Sequence, residues 1–187
     1  MDRIARDAWS RYQNESGFSL IEMLSVVALV AILTTLGAGA LRSYWLTQSV
    51  NGGQDELISQ LRRAQEQAVS ESHPKVFGVR VLAGSSTWAL VEYNPVGPSC
   101  TEIQSNEFRS GARVRTETFT STAETTYCEG NLKYADNTAV PDRATSGYAW
   151  FYARGTATPG NIVLDNPLVS IERLVTVSPI TGRVTGS

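Results

Sequence analysis

The chain has 187 residues, with sixteen Lys and Arg against eighteen Asp and Glu, a formal charge of −2. That balance excludes a strongly basic nucleic-acid binder and a polyacidic tail, and 42% hydrophobic residues mark a folded chain rather than a disordered one. One histidine and two cysteines, with no CxxC and no HExxH, leave little for a multi-ligand zinc site or a Cys/His nucleophile pair.

Residues 1–17 are polar and end in glycine, and Arg3, Arg6 and Arg11 offset Asp2, Asp7 and Glu15. From Phe18 to Leu41 the chain is apolar, with Glu22 as its only charge. At about 1.5 Å per residue this run makes a helix of roughly 36 Å, enough to cross a hydrocarbon core of about 30 Å. It is too long for the core of an ordinary secretory signal, although Gly37-Ala38-Gly39-Ala40 imitates a cleavage site. A plain signal-anchor fits the hydropathy. The arginines before the span, against Arg42 just after it, favour a cytoplasmic N-terminus. Glu22 stands near one end of the run. It reads either as a snorkelling, dipole-compensating acid in the first helical turn or as a functional carboxylate that needs a positive partner at the same depth.

Gly17-Phe18-Ser19-Leu20-Ile21-Glu22, ahead of an unbroken apolar run, resembles the type III signal of type IV pilins and type II secretion pseudopilins. The resemblance implies that a prepilin peptidase cuts between Gly17 and Phe18 on the cytoplasmic face and methylates the new Phe18 amine. It also implies that Glu22 serves filament assembly by pairing with a neighbour's amine. The implied location is the inner membrane, crossed once, with the C-terminal domain periplasmic. The implied partners are other pseudopilins or pilins, the prepilin peptidase, the inner-membrane assembly platform and the lipid bilayer. A retained Glu22 argues against the subunit at the extreme tip, which in the family can lack it.

After Leu41 the pattern turns amphipathic. Leu57, Ile58, Leu61, Ala64, Ala68 and Val69 keep helical spacing while Arg62, Arg63 and Glu66 take other faces. Residues 42–73 therefore read as a continuation of the helix, kinked or loosened at Gly52-Gly53 and ended by Pro74. From Lys75 the period becomes two. Phe77, Val79 and Val81 alternate along one strand, and Thr87–Tyr93 forms a second after the Gly84-Ser85-Ser86 turn. Asn94-Pro95 and Gly97-Pro98 then break the pattern. Arg113–Phe119 is an edge candidate, with Val114 the one aliphatic residue on its face. Residues 120–147 are polar and loop-like. Gly147–Arg154 is an aromatic strand, Asn161–Leu164 a short one, and Ile171–Ser178 with Gly182–Thr185 a terminal hairpin.

The expected fold is thus α+β and pilin-like. It comprises a leader (1–17), a transmembrane helix (18–41), its amphipathic continuation (42–73) and an antiparallel β-rich domain (74–187). The expected core is Leu57, Leu61, Ala64, Ala68, Phe77, Val79, Val81, Leu90, Trp150, Tyr152, Ile162, Leu164, Leu174 and Val177.

Phe151-Tyr152-Ala153-Arg154-Gly155, followed by Ile162-Val163-Leu164, Val175–Ser178 and Thr181-Gly182-Arg183-Val184, resembles the GspH/FimT-type minor pseudopilin domain. That likeness implies a minor pseudopilin of type II secretion, a structural subunit and not an enzyme. The alternatives are a minor pilin of a type IV pilus, including its DNA-uptake form, and a monomeric signal-anchored binding domain.

Cys100 and Cys128, 28 positions apart in expected loops, are free to pair once the domain is exported. His73 before Pro74 reads as a helix-end residue. Asp136, Asp142 and Asp165 lack a DxDxDG spacing, so neither a metal nor any other cofactor is expected. Trp88, Trp150, Tyr148 and Tyr152 read as packing. A DNA contact would run through Arg183, with Arg154 and Arg173, but one arginine in the tail and a net acidic chain weigh against nucleic acid.

Overall fold

The computed structural model describes residues 18–71, 74–108, 111–141 and 146–187; the leader, Gly17 included, His73 and Asp142 lie outside them. The first element is a single helix, α1 (Leu20–Ser70), 51 residues long. The chain divides into two compact units between Arg42 and Ser43. In the first unit every described side chain is exposed, and an 18-residue window of α1 reaches a mean hydropathy of 2.2.

In the second unit α1 buries Val50, Leu57, Leu61, Ala64 and Ala68, the stripe that the periodicity predicts. The helix is not interrupted at Gly52-Gly53. Gly53 is instead a point of close packing: a β-carbon there would stand 2.8 Å from the Ala112 methyl. The helix stops at Ser70, before Pro74 is reached.

Among the described residues nine strands follow, β1 (Val76–Leu82), β2 (Thr87–Asn94), β3 (Ser99–Glu107), β4 (Arg113–Phe119), β5 (Leu132–Tyr134), β6 (Ser146–Phe151), β7 (Gly160–Asn166), β8 (Val169–Val177) and β9 (Val184–Gly186), with a short helix α2 (Ala123–Asn131) between β4 and β5. They form one sheet of order β5-β3-β2-β1-β6 and another of order β4-β7-β8-β9. All pairings are antiparallel except β3 with β5. β4 is an edge strand, as its single buried aliphatic residue suggests, and β8 and β9 form the terminal hairpin.

The main core gathers the α1 stripe, Phe77, Val79, Val81, Trp88, Leu90, Ala149 and Phe151 from the first sheet, and Val114, Ile162, Leu164, Val175, Val177 and Val184 from the second. The first sheet also buries its opposite face. There Val76, Ala89, Val91, Cys100, Tyr148 and Trp150 pack with Cys128, Leu132 and Val140. From the stretch expected as loop, α2 and the segment that carries Val140 supply this outer layer, while β5 adds an edge strand to the first sheet. Thr122 caps α2 by accepting from the Thr125 amide.

β3 is a further correction. Its sequence, SCTEIQSNE, shows little apolar alternation, but it pairs with β2 along its whole length. Two expected core residues are displaced. Leu174 is 37% exposed on the outer face of the second sheet. Tyr152 is half-buried beyond the end of β6, where its hydroxyl donates to Glu124 Oε2 at 3.4 Å. Trp150 is fully buried, on the opposite face of the sheet from Phe77, Val79 and Val81.

Candidate functional site

The Phe18–Glu22 segment starts α1. Ser19 is the residue ahead of the helix, and its hydroxyl accepts from the Glu22 amide at 3.2 Å. Its carbonyl accepts from the amides of Glu22 and Met23 at 3.0 and 3.2 Å. Ser19-x-x-Glu22 thus has the spacing of a capping box, with an acid in the first turn where the helix dipole favours negative charge. The cap holds the main chain of Glu22 and leaves its carboxylate, among the described residues, with no hydrogen-bond or ion-pair partner. Phe18 is 76% exposed.

Along the apolar run the hydroxyls are satisfied within the helix. Ser25 Oγ donates to the Glu22 carbonyl at 2.8 Å, Thr34 Oγ1 to that of Val30 at 2.9 Å and Thr35 Oγ1 to that of Ile32 at 2.8 Å. That arrangement is what a hydrocarbon environment demands of polar groups. The site therefore pairs a capped helix start and an unpartnered carboxylate with a self-satisfied apolar helix.

Cys100 and Cys128 form a disulfide with their Cα atoms 5.5 Å apart. They lie in β3 and α2 rather than in loops, both buried. The bond joins the outer layer to the first sheet. Beside it Trp150 Nε1 donates to Thr125 Oγ1 at 2.9 Å, and Trp150 stacks on Tyr148 with ring centroids 5.4 Å apart. On the same face Arg80 Nη2 lies 3.5 Å from Glu102 Oε2, an ion-pair distance without hydrogen-bond alignment. Sequence reasoning missed this pair of a half-buried arginine and a buried glutamate, because Arg80 looks like an ordinary solvent-facing residue of an alternating strand.

The three arginines considered for DNA do not form one patch. Arg173 Nε donates to Asn51 Oδ1 at 2.8 Å, near the start of the second unit. Arg154 and Arg183 flank the opposite end, where Gln65 Nε2 donates to the Thr181 carbonyl at 3.0 Å. Asp165 pairs with Arg113 at 2.8 Å and thereby raises the guanidinium pKa further. Asp136 accepts from the Thr138 hydroxyl and amide at 2.6 and 3.0 Å, which lower its pKa. Burial, with the Glu124 charge next, raises that of the Tyr152 phenol. Among the described residues no His, Cys, Asp and Glu side chains gather as metal ligands do.

Comparison with known proteins adds two family matches. Residues 12–38 match the prokaryotic N-terminal methylation motif, and residues 54–182 match type II transport protein GspH. No curated protein matches the chain in sequence. Among solved structures it is similar to the minor pseudopilin EpsH from the type 2 secretion system of Vibrio cholerae, at 12% identity, 74% of this chain and 96% of that one, with a TM-score of 0.49. It is similar to the type IV minor pilin FimU of Pseudomonas aeruginosa at 15% identity, 75% and 90% coverage and a TM-score of 0.49. For Escherichia coli GspH the values are 11%, 75%, 88% and 0.48.

Proposed function

Because the chain belongs to the GspH family of type II transport proteins, we propose that it works as a minor pseudopilin, a structural subunit of the type II secretion pseudopilus. The observation that carries this reading is the joining in one chain of a methylation motif over 12–38 and a GspH domain over 54–182. In this reading the peptidase cuts between Gly17 and Phe18, the Phe18 amine is methylated, and residues 18–41 remain as a single-pass anchor in the inner membrane. The β-rich unit then lies in the periplasm, where its disulfide is stable.

The carboxylate of Glu22 sets axial register. Two opposite charges attract far more strongly in low dielectric than in water, and pairing relieves the cost of burying either one alone. The apolar faces of neighbouring helices supply packing that does not itself choose a register. The Ser19 cap supports this role by fixing the first turn, so that Glu22 has a defined height on the helix.

N-terminal sequencing of the membrane-extracted protein tests the reading, with a methylated Phe18 expected as first residue. A mature chain that begins at Met1, or beyond Leu41, would leave a signal-anchored domain instead. The methylation motif is common to pilins and pseudopilins, so the machine is read from a deletion: loss of exoprotein secretion supports the pseudopilus, and loss of pili or DNA uptake supports the type IV minor pilin.

A further inference from the structure

The cleavage motif and the helix start overlap, and the main chain divides between them at one residue. Phe18 and Ser19 lie ahead of α1, whose first residue is Leu20. In a helix that took in Phe18, the Phe18 carbonyl would accept from the amide four residues on, that of Glu22. Ser19 already engages that amide. The Glu22 N–H donates to the Ser19 hydroxyl at 3.2 Å and to the Ser19 carbonyl at 3.0 Å, and the Met23 amide reaches the same carbonyl at 3.2 Å. Ser19 is thus the N-cap, and Glu22 is the third helical residue, whose amide such a cap binds.

The other hydroxyls of the apolar run behave differently. Ser25, Thr34 and Thr35 donate back to carbonyls of the preceding turn and leave the helix unbroken. Among the described hydroxyls of that run, Ser19 is the one that accepts from a main-chain amide. The residues before it offer other starts. Ser16 is a strong capping type and Gly17 an acceptable one. A helix released at Ser19 therefore has its next start about one turn upstream, with Phe18 inside its first turn. Proteolysis acts on main chain that is open, and its rate follows the open population where opening is fast. Helix ends relax in about a microsecond or less.

We propose that Ser19 is a positioning residue for removal of the leader. Its hydroxyl holds the Glu22 amide away from the Phe18 carbonyl, so α1 starts at Leu20 and Phe18 stays open on its side of the bond to be cut. The proposal deepens the reading of Gly17–Phe18 as the peptidase's bond and rests on it.

The test uses the full-length precursor in detergent micelles with purified prepilin peptidase, and follows loss of the leader over time. Ser19→Ala and Ser19→Val should be cut more slowly than the parent by up to about fivefold, the factor that corresponds to a typical lost N-cap. Ser19→Thr has the shape of Ser19→Val but keeps the hydroxyl, and Ser19→Asn caps through an amide oxygen; both should be cut at the parent rate. In the same micelles the Phe18 main-chain carbon shifts should be non-helical in the parent, Ser19→Thr and Ser19→Asn, and helical in Ser19→Ala and Ser19→Val. Equal rates for the parent and Ser19→Ala would overturn the proposal, as would slow cleavage of Ser19→Ala with unchanged Phe18 shifts. Rescue by Ser19→Thr without rescue by Ser19→Asn would also overturn it, because the peptidase would then be reading the hydroxyl itself. A parent chain left uncut removes the cleavage reading, whereas parent and Ser19→Ala cut alike after Gly17 leave that reading intact and remove only the role of Ser19.

Discussion

Replacing both Cys100 and Cys128 by alanine isolates what the disulfide does for the β-rich unit. Alanine is the right choice because both positions are buried, and serine would leave two hydroxyls to satisfy. The cross-link spans 28 positions. Chain entropy for a loop of that length is about 12 cal/mol/K, which corresponds to about 3.6 kcal/mol at 25 °C. The structure says where the loss falls. The link fastens α2 to β3, and further ties of α2 include the Trp150–Thr125 bond, the bond from the Tyr152 hydroxyl to Glu124, the bond from the Tyr127 hydroxyl to the Pro98 carbonyl and the buried Leu132 that follows it. For a unit of this size about 3.6 kcal/mol lowers the melting temperature by about 10 °C. Thermal unfolding of the detergent-solubilised chain measures it. Amide exchange should quicken first in α2 and β5, while β1, β2 and the α1 stripe stay protected. A stability loss under about 1 kcal/mol, or exchange that quickens evenly, would refute the view that the bond staples the outer layer.

Three further outcomes are expected. Gly78 lies beneath the Trp150 ring, where a β-carbon would come within 2.5 Å of the ring, so Gly78→Val should cost about 1–3 kcal/mol by overpacking, read by denaturant titration with the change in tryptophan fluorescence. Glu22→Ala should leave membrane insertion and Gly17 cleavage intact, because neither needs the charge, and should weaken crosslinking to partner pseudopilins; unchanged crosslinking and secretion would reduce Glu22 to a first-turn acid. Asp136, its pKa lowered by Thr138, contributes stability at pH values above its unfolded pKa, and that contribution disappears as pH falls through the folded pKa; Thr138→Val should raise the Asp136 midpoint in an NMR titration.

The legible parts of this protein were those in which a local pattern and its structural outcome share a scale. Hydropathy over Phe18–Leu41 and the i, i+4, i+7 stripe from Leu57 mark α1, since each requires only helical spacing along one segment. Phe77, Val79 and Val81 mark β1 in the same way, and the lone aliphatic Val114 marks β4 as an edge. The Ser19-x-x-Glu22 cap is likewise written in the sequence as a capping-box spacing, overlapping the cleavage motif. The Gly52-Gly53 pair misled because glycine in a helix signals flexibility or close approach equally well, and only the Ala112 methyl decides between them.

The amino-acid sequence by itself determined the helix, the alternation of the inner strands, the cleavage-motif residues and the family resemblance, because each is written in neighbouring positions. The tertiary structure decided the rest. An alternating strand is read as having one wet face, yet β1, β2 and β6 are largely buried on both, since α2 and the segment that carries Val140 cover the far side. That cover made a structural layer of α2, part of the stretch expected as loop, drew Cys100 and Cys128 out of expected loops into β3 and α2, and set the half-buried Arg80 against the buried Glu102. It left Leu174 on the uncovered face of the second sheet. Burial depends on what another part of the chain lays over a surface, and no local period records that.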